Sequence, residues 1–193
     1  MKSIEIMNEE HKYILRMLRV VRKCCFRILQ GEEPTYEDFD KIIDFIKNYA
    51  DNHHHKKEEN ILFVNMVENL GEVAAKAVNQ GMLVEHDLGR LHVRELISAL
   101  ERVKAGEEEA KLDVIANAIS YTHLLTRHID KEDRVIYKFA ERNLDHEVMN
   151  FIDAECESYE INNEKIKNKY ILILEELEKK YKCSNYFNVN DIE

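Results

Sequence analysis

The run His54-His55-Lys56-Lys57-Glu58-Glu59-Asn60-Ile61-Leu62-Phe63 returns in the second half of the chain as His128-Ile129-Asp130-Lys131-Glu132-Asp133-Arg134-Val135-Ile136-Tyr137. Both copies read His-x-x-Lys-Glu-acidic-x-aliphatic-aliphatic-aromatic. A shorter phrase also recurs, Glu10-His11 in the first half and Glu85-His86 in the second. The spacing from the Glu-His to the His-x-x-x-Glu is the same in the two halves to within one residue. The sequence is therefore that of a duplicated unit, each copy carrying two histidines and one carboxylate. His11, His54, Glu58, His86, His128 and Glu132 are expected to meet around metal.

Working outward, the rest of the chain is written for helix. Among 193 residues there are five glycines and one proline, Pro34. Glu, Lys, Leu and Ile, all good or tolerable helix formers, are abundant. A chain of this length buries a sizeable core as one domain. The net charge of −10 argues against nucleic acid as a partner, because phosphate recognition needs a basic surface. No apolar run is long enough to span a membrane, and the acidic start (Met1-Lys2-Ser3-Ile4-Glu5) is unlike an export signal, so a cytoplasmic location is expected. Cys24, Cys25, Cys156 and Cys183 form no Cys-x-x-Cys pair, which excludes a cysteine zinc site or disulfide framework and points to reduced thiols.

Apolar residues at steps of three and four predict four long helices, at about 3–30, 35–70, 81–105 and 108–143. Thr35 and Asp38 read as a capping pair at the start of the second helix. A short separate turn is expected between Gly71 and Gly81. Gly89, one turn after His86, leaves room for a neighbouring backbone or a ligand. Four such helices with short connections predict an all-α, up-down-up-down bundle over residues 1–145. Residues 146–193 form a helical extension, expected to break at Asn162-Asn163, to fray over its last ten residues, and to pack on the bundle or join a second copy of the chain.

Residues four apart in a helix differ by about 40° in direction, so His54 and Glu58 face one site, as do His128 and Glu132. His55 and Glu59 share that spacing. Aligning Lys57 with Lys131 favours His54 and Glu58, which leaves His53 and His55 as surface residues or as residues behind the ligands. Antiparallel neighbours bring all four chosen histidines to one level of the bundle. Burying four imidazoles and two carboxylates together is costly without pairing or metal. Nitrogen and oxygen donors without thiolate suit iron, manganese or zinc, and two carboxylates able to bridge suggest a pair of ions.

The set Glu10-His11, His54-His55-x-Lys57-Glu58-Glu59-x-x-Leu62-Phe63, Glu85-His86-x-x-x-Arg90 and His128-Ile129-x-Lys131-Glu132 resembles the hemerythrin-like (HHE) cation-binding family. The resemblance covers about residues 1–145. It implies a four-helix bundle holding an oxo- or hydroxo-bridged di-iron centre, with His11, His54, His86 and His128 as terminal ligands and Glu58 and Glu132 as bridges. A ferritin-like site is set aside, because it uses Glu-x-x-His and additional glutamates where this chain has histidines. Oxygen-carrying hemerythrins have a second histidine one turn after the third-helix ligand, where this chain has Arg90. That departure implies a more symmetric, histidine-poorer site with open positions, and counts against simple oxygen carriage. What remains is binding or sensing of oxygen, nitric oxide or peroxide, or iron handling. The alternatives are a metal-dependent enzyme such as an iron–sulfur repair or peroxide-reducing protein, and an interaction module with a structural metal. No catalytic motif stands apart from the metal residues.

Overall fold

The computed structural model describes residues 1–183; the fraying expected of residues 184–193 lies outside the described residues. Among those described, every regular element is helical: α1 (Lys2–Leu29), α2 (Tyr36–Phe45), α3 (Val64–Ala77), α4 (Leu83–Lys104), α5 (Ala110–Lys131), α6 (Tyr137–Asn143) and α7 (His146–Tyr181). None of these helices is long and apolar enough to cross a membrane.

Stretches of π-helix, Ile46–His55 and Glu58–Phe63, fill the interval from α2 to α3. Another, Glu132–Ile136, joins α5 to α6. These wide turns answer a problem set by the sequence. Ile46, Ala50, His54, Glu58, Leu62 and Met66 are all buried, at every fourth position. In a pure α-helix each such step drifts by about 40°, so five would carry Met66 about 200° round to the far side. A π-turn closes i→i+5 hydrogen bonds and holds more residues per turn, so mixing the two keeps every fourth residue on one line. His128, Glu132, Ile136 and Ala140 repeat the device. Uninterrupted α-helix over 35–70 and 108–143 is thus corrected. The sustained step of four was the signal.

Each long helical run crosses three layers. In α1, Ile4 and Met7 belong to one apolar cluster, Ile14 to Ile28 to another, and Glu10 and His11 lie between. The second run meets the clusters in the opposite order: Phe39 to Ala50, then the histidines and Glu58, then Leu62 to Met66. Val78 and Met82 precede His86, and Val93 to Val103 follow it. Ala110 to Leu125 precede His128 and Glu132, and Ile136 to Ala140 follow them. A polar layer is thereby clamped between two apolar ones.

The second run ends at Gly71, whose φ of 70° and ψ of −151° break the helix before residues 72–82, where a separate turn was expected. The capping pair is corrected. Thr35 stands at the N-cap without a side-chain bond, and Asp38 instead accepts a 2.5 Å hydrogen bond from the Tyr181 hydroxyl. That bond anchors the far end of α7, which runs unbroken through Asn162 and Asn163 and packs along α1, α2 and the first π stretch. Its half-buried Asn163 side chain donates back to the Tyr159 carbonyl within the helix. At Gly71 only glycine fits the backbone without strain, while a β-carbon would meet nothing within 4 Å. Gly71→Ala is therefore expected to cost about 1–3 kcal/mol in urea denaturation, the strain alone, with metal uptake unchanged; a neutral result would show that the kink relaxes freely.

Candidate metal centre

The polar layer holds two four-residue donor groups, with a smaller cluster of Glu10, His53 and Glu160 beside them. His11, His54, Glu58 and Glu132 form one; His55, Glu58, His86 and His128 form the other. Within each group one ligand atom per residue lies within 4.8 Å of all the others, and every member is buried. Glu58 belongs to both. Its Oε2 is 3.6 Å from His54 Nε2 and 3.6 Å from His86 Nε2. Glu132 reaches both sides too, 3.4 Å from His11 Nε2 and 3.2 Å from His128 Nε2. All six residues chosen from the sequence therefore converge.

The outward nitrogens explain the rest of the repeated motif. His54 Nδ1 donates to Glu10 and His128 Nδ1 to Glu85, each at 2.9 Å. His86 Nδ1 donates to Glu59 at 2.9 Å and His11 Nδ1 to Asp133 at 2.7 Å. The glutamate of each Glu-His thus orients the next histidine in its own half. The acid after each central glutamate crosses to the other half. Lys57 and Lys131 pair with Glu10 and Glu85. A histidine that gives its Nδ1 proton to a carboxylate presents a bare Nε2 lone pair, the arrangement that orients imidazole towards a metal.

Several inward atoms have no hydrogen-bond partner: His54 Nε2, Glu58 Oε2 and both Glu132 oxygens. His86 Nε2 and His128 Nε2 face each other at 3.0 Å. With both Nδ1 protons committed outward, only a proton or a cation between those lone pairs relieves their repulsion. Buried partnerless atoms of this kind each cost about 1–3 kcal/mol, more when charged. The donor set fits a cation.

The chain matches the Hemerythrin HHE cation binding domain over residues 2–140. It belongs to that family. Comparison with curated proteins and with solved structures finds no match. α7 lies wholly beyond the matched HHE segment.

His55 was misread from the sequence, whereas His53 takes one of the two places expected of it. His53 and His55 are buried, not on the surface. His53 stands behind the donors, with Nε2 3.0 Å from Glu10. His55 joins the second donor group, stacked on His86 at a ring separation of 4.0 Å. Its counterpart in the second copy is Ile129, so the repeat that selected His54 also hid His55. This fifth imidazole gives one donor group three histidines and the other two, where a symmetric, histidine-poor site was expected. The wide π-turn allows His53, His54 and His55 all to face inward. Arg90 holds the outer shell on this side, donating to Glu59 at 2.7 Å and to Asp51 at 2.6 Å. The terminal aromatic of the repeat differs as well: Tyr137 donates its hydroxyl proton to Glu58 Oε1 at 2.6 Å, whereas Phe63 has none to give.

A pocket of about 200 Å³ reaches the rings of His55 and His86. Arg90, Asp51, Val93 and Tyr121 line it, and Gly89 forms part of its wall. A β-carbon on Gly89 would stand 3.5 Å from Leu125 and 3.6 Å from Tyr121, ordinary contact, so the glycine adds room without being sterically required.

Charges in the layer are strongly coupled. Burial and the facing Glu132 push the Glu58 pKa well above the carboxylate range. Burial opposes the charge on Glu132, yet His128, His11 and His86 hold its pKa well below that range. Burial also works against a charged His11, but the hydrogen bond to Asp133 and the close Glu132 carboxylate prevail and raise its pKa to about 9. Burial and the neighbouring His11 charge lower His54 to about 4.

Two predictions follow from this balance. Glu58→Gln mimics the protonated acid and keeps the Tyr137 bond, so the metal-free thermal midpoint should hold or rise while metal uptake falls below one ion per chain. Retained uptake would remove Glu58 from the shared position. Secondly, His11 is protonated at neutral pH in the metal-free protein, and ligation requires it neutral. Metal affinity should rise by up to about tenfold per pH unit between pH 7 and 9, with proton release detectable by calorimetry in buffers of different ionisation enthalpy. The His11 contribution to metal-free stability runs the other way: it is full below the ordinary value of 6.5 and fades as pH rises through about 9.

Proposed function

We propose that this HHE-family chain is a non-haem di-iron protein whose centre binds or senses a small ligand, oxygen, nitric oxide or peroxide, or handles iron. The observation that carries the reading is the pair of buried donor groups sharing Glu58, with partnerless atoms aimed inward. His11, His54, Glu58, His86, His128 and Glu132 are the proposed ligands, joined by His55. Only nitrogen and oxygen donors are present; Cys24, Cys25 and Cys156 lie in the apolar clusters. Such a donor set suits iron, with manganese and zinc as competitors.

The bundle reading extends to topology and domains. The order in which the long runs visit the two apolar layers alternates from one run to the next, which supports an up-down-up-down arrangement for residues 1–145. In this reading α7, His146–Tyr181, is its helical extension.

When bound, iron would supply one-electron chemistry and coordination positions for a small ligand. The chain's own contribution is to hold four imidazoles by their Nδ1 protons, to hold Glu58 by a hydrogen bond from Tyr137, and to leave an entry beside His55 and His86. Water occupies about 30 Å³ in the liquid, so the pocket exceeds what a diatomic molecule needs. That surplus favours one second reading, an enzyme acting on peroxide or an iron–sulfur centre; turnover by the iron-loaded protein separates it from sensing.

Metal analysis of protein from iron-replete cells should find two iron ions per chain, with an absorption spectrum that changes on exposure to oxygen or nitric oxide. Less than one transition-metal ion per chain would overturn the reading. Gly89→Val, which narrows the pocket, should keep the metal and slow the spectral response to nitric oxide; an unchanged rate would place the entry elsewhere.

A further inference from the structure

The two copies of the repeat are alike down to their lysines, yet α7 covers only one of them. Lys57 is fully buried, its side chain 0% exposed, whereas Lys131 is 46% exposed. Lys57 Nζ donates to Glu10 Oε1 at 2.6 Å and also to Glu160 of α7. His53 Nε2 sits between the same two carboxylates, 3.0 Å from Glu10 Oε1 and 3.2 Å from Glu160 Oε1. The other Glu160 oxygen is held by Lys167 at 2.8 Å. The neighbouring Tyr159 lies under Lys57, ring centroid 5.5 Å from Nζ, and donates its hydroxyl to the Asn52 carbonyl at 2.8 Å.

The division of labour on Glu10 gives this cluster its meaning. Oε1 receives Lys57 and His53; Oε2 receives His54 Nδ1. Glu160 shares the load on Oε1. Without its charge, two buried donors converge on one oxygen of Glu10 and pull that carboxylate away from His54. The second copy has no such dependence, because Glu85 and Lys131 are satisfied beside solvent.

We propose that Glu160 is a positioning residue for the metal centre, acting through Lys57, His53 and Glu10 on His54, so that docking of α7 and metal binding on the His11–His54 side reinforce one another. The inference rests on the metal-binding reading above. Coupling of this kind is reciprocal: whatever α7 adds to metal affinity, bound metal adds to α7 docking. Outer-shell partners of ligating histidines are worth about 10–100-fold in metal affinity.

The test titrates Fe(II) anaerobically into the full chain, into Glu160→Gln and into Glu85→Gln, following stepwise affinity and hydrogen exchange of α7 amides between residues 150 and 170. In the unsubstituted chain Fe(II) should slow exchange across that segment. Glu160→Gln should weaken one of two equivalents by about 10–100-fold, spare the other, and abolish the metal-induced protection. Glu85→Gln should weaken the other equivalent and keep the protection. If Glu160→Gln binds both equivalents as the unsubstituted chain does, or if Fe(II) leaves α7 exchange unchanged in the unsubstituted chain, the coupling is wrong and the di-iron reading stands. The exchange measurement decides the matter even should Glu160→Gln fail to fold. If the unsubstituted chain takes up no Fe(II), both readings fall together.

Discussion

Charge buried without water governs this molecule. Five imidazoles and two carboxylates of the donor groups occupy one layer, and apolar clusters on both sides deny them solvent. Such a layer is tolerable only if every charge has a counter-charge or a cation. The chain answers with a second ring of groups, Glu10, Glu59, Glu85 and Asp133, each accepting a hydrogen bond from the Nδ1 of one donor-group imidazole, backed by Lys57, Lys131 and Arg90. The inner lone pairs are what remains unanswered, and they define where a cation belongs.

Helix geometry is subordinate to that layer. Regular α-helix would rotate His54 and Glu58 out of line with the apolar residues above and below them. The π stretches at 46–55, 58–63 and 132–136 fall where the alignment has to be preserved. Wide turns of this kind give up regular packing of the backbone, and they concentrate at functional sites.

The duplicated motif made the ligand-bearing positions legible. Comparing the two copies separates what both need from what one has by chance, and His11, His54, Glu58, His86, His128 and Glu132 all come together as that comparison implies. The same comparison concealed whatever differs between copies: His55 opposite Ile129, and Tyr137 opposite Phe63. It also gave no hint that the acids after Glu58 and Glu132 cross between halves, since a partner on another helix leaves no periodic trace. Helix limits were readable from Gly31, Gly71 and Gly106. The continuity of α7 through Asn162-Asn163 was not, because its packing along the bundle overrides the weak helix preference of asparagine.

The crossing acids also bear on synthesis. His11 finds its acceptor in Asp133, and His86 finds its own in Glu59, so neither half can set all of its histidines by itself. A nascent chain that has released only the first copy exposes four histidines, His11 and His53 to His55, with no fixed geometry among them. Translation must pass Asp133 before His11 meets its acceptor, and must pass Glu160 before Lys57 is closed in. A complete set of oriented donors therefore needs residues from both copies and from α7.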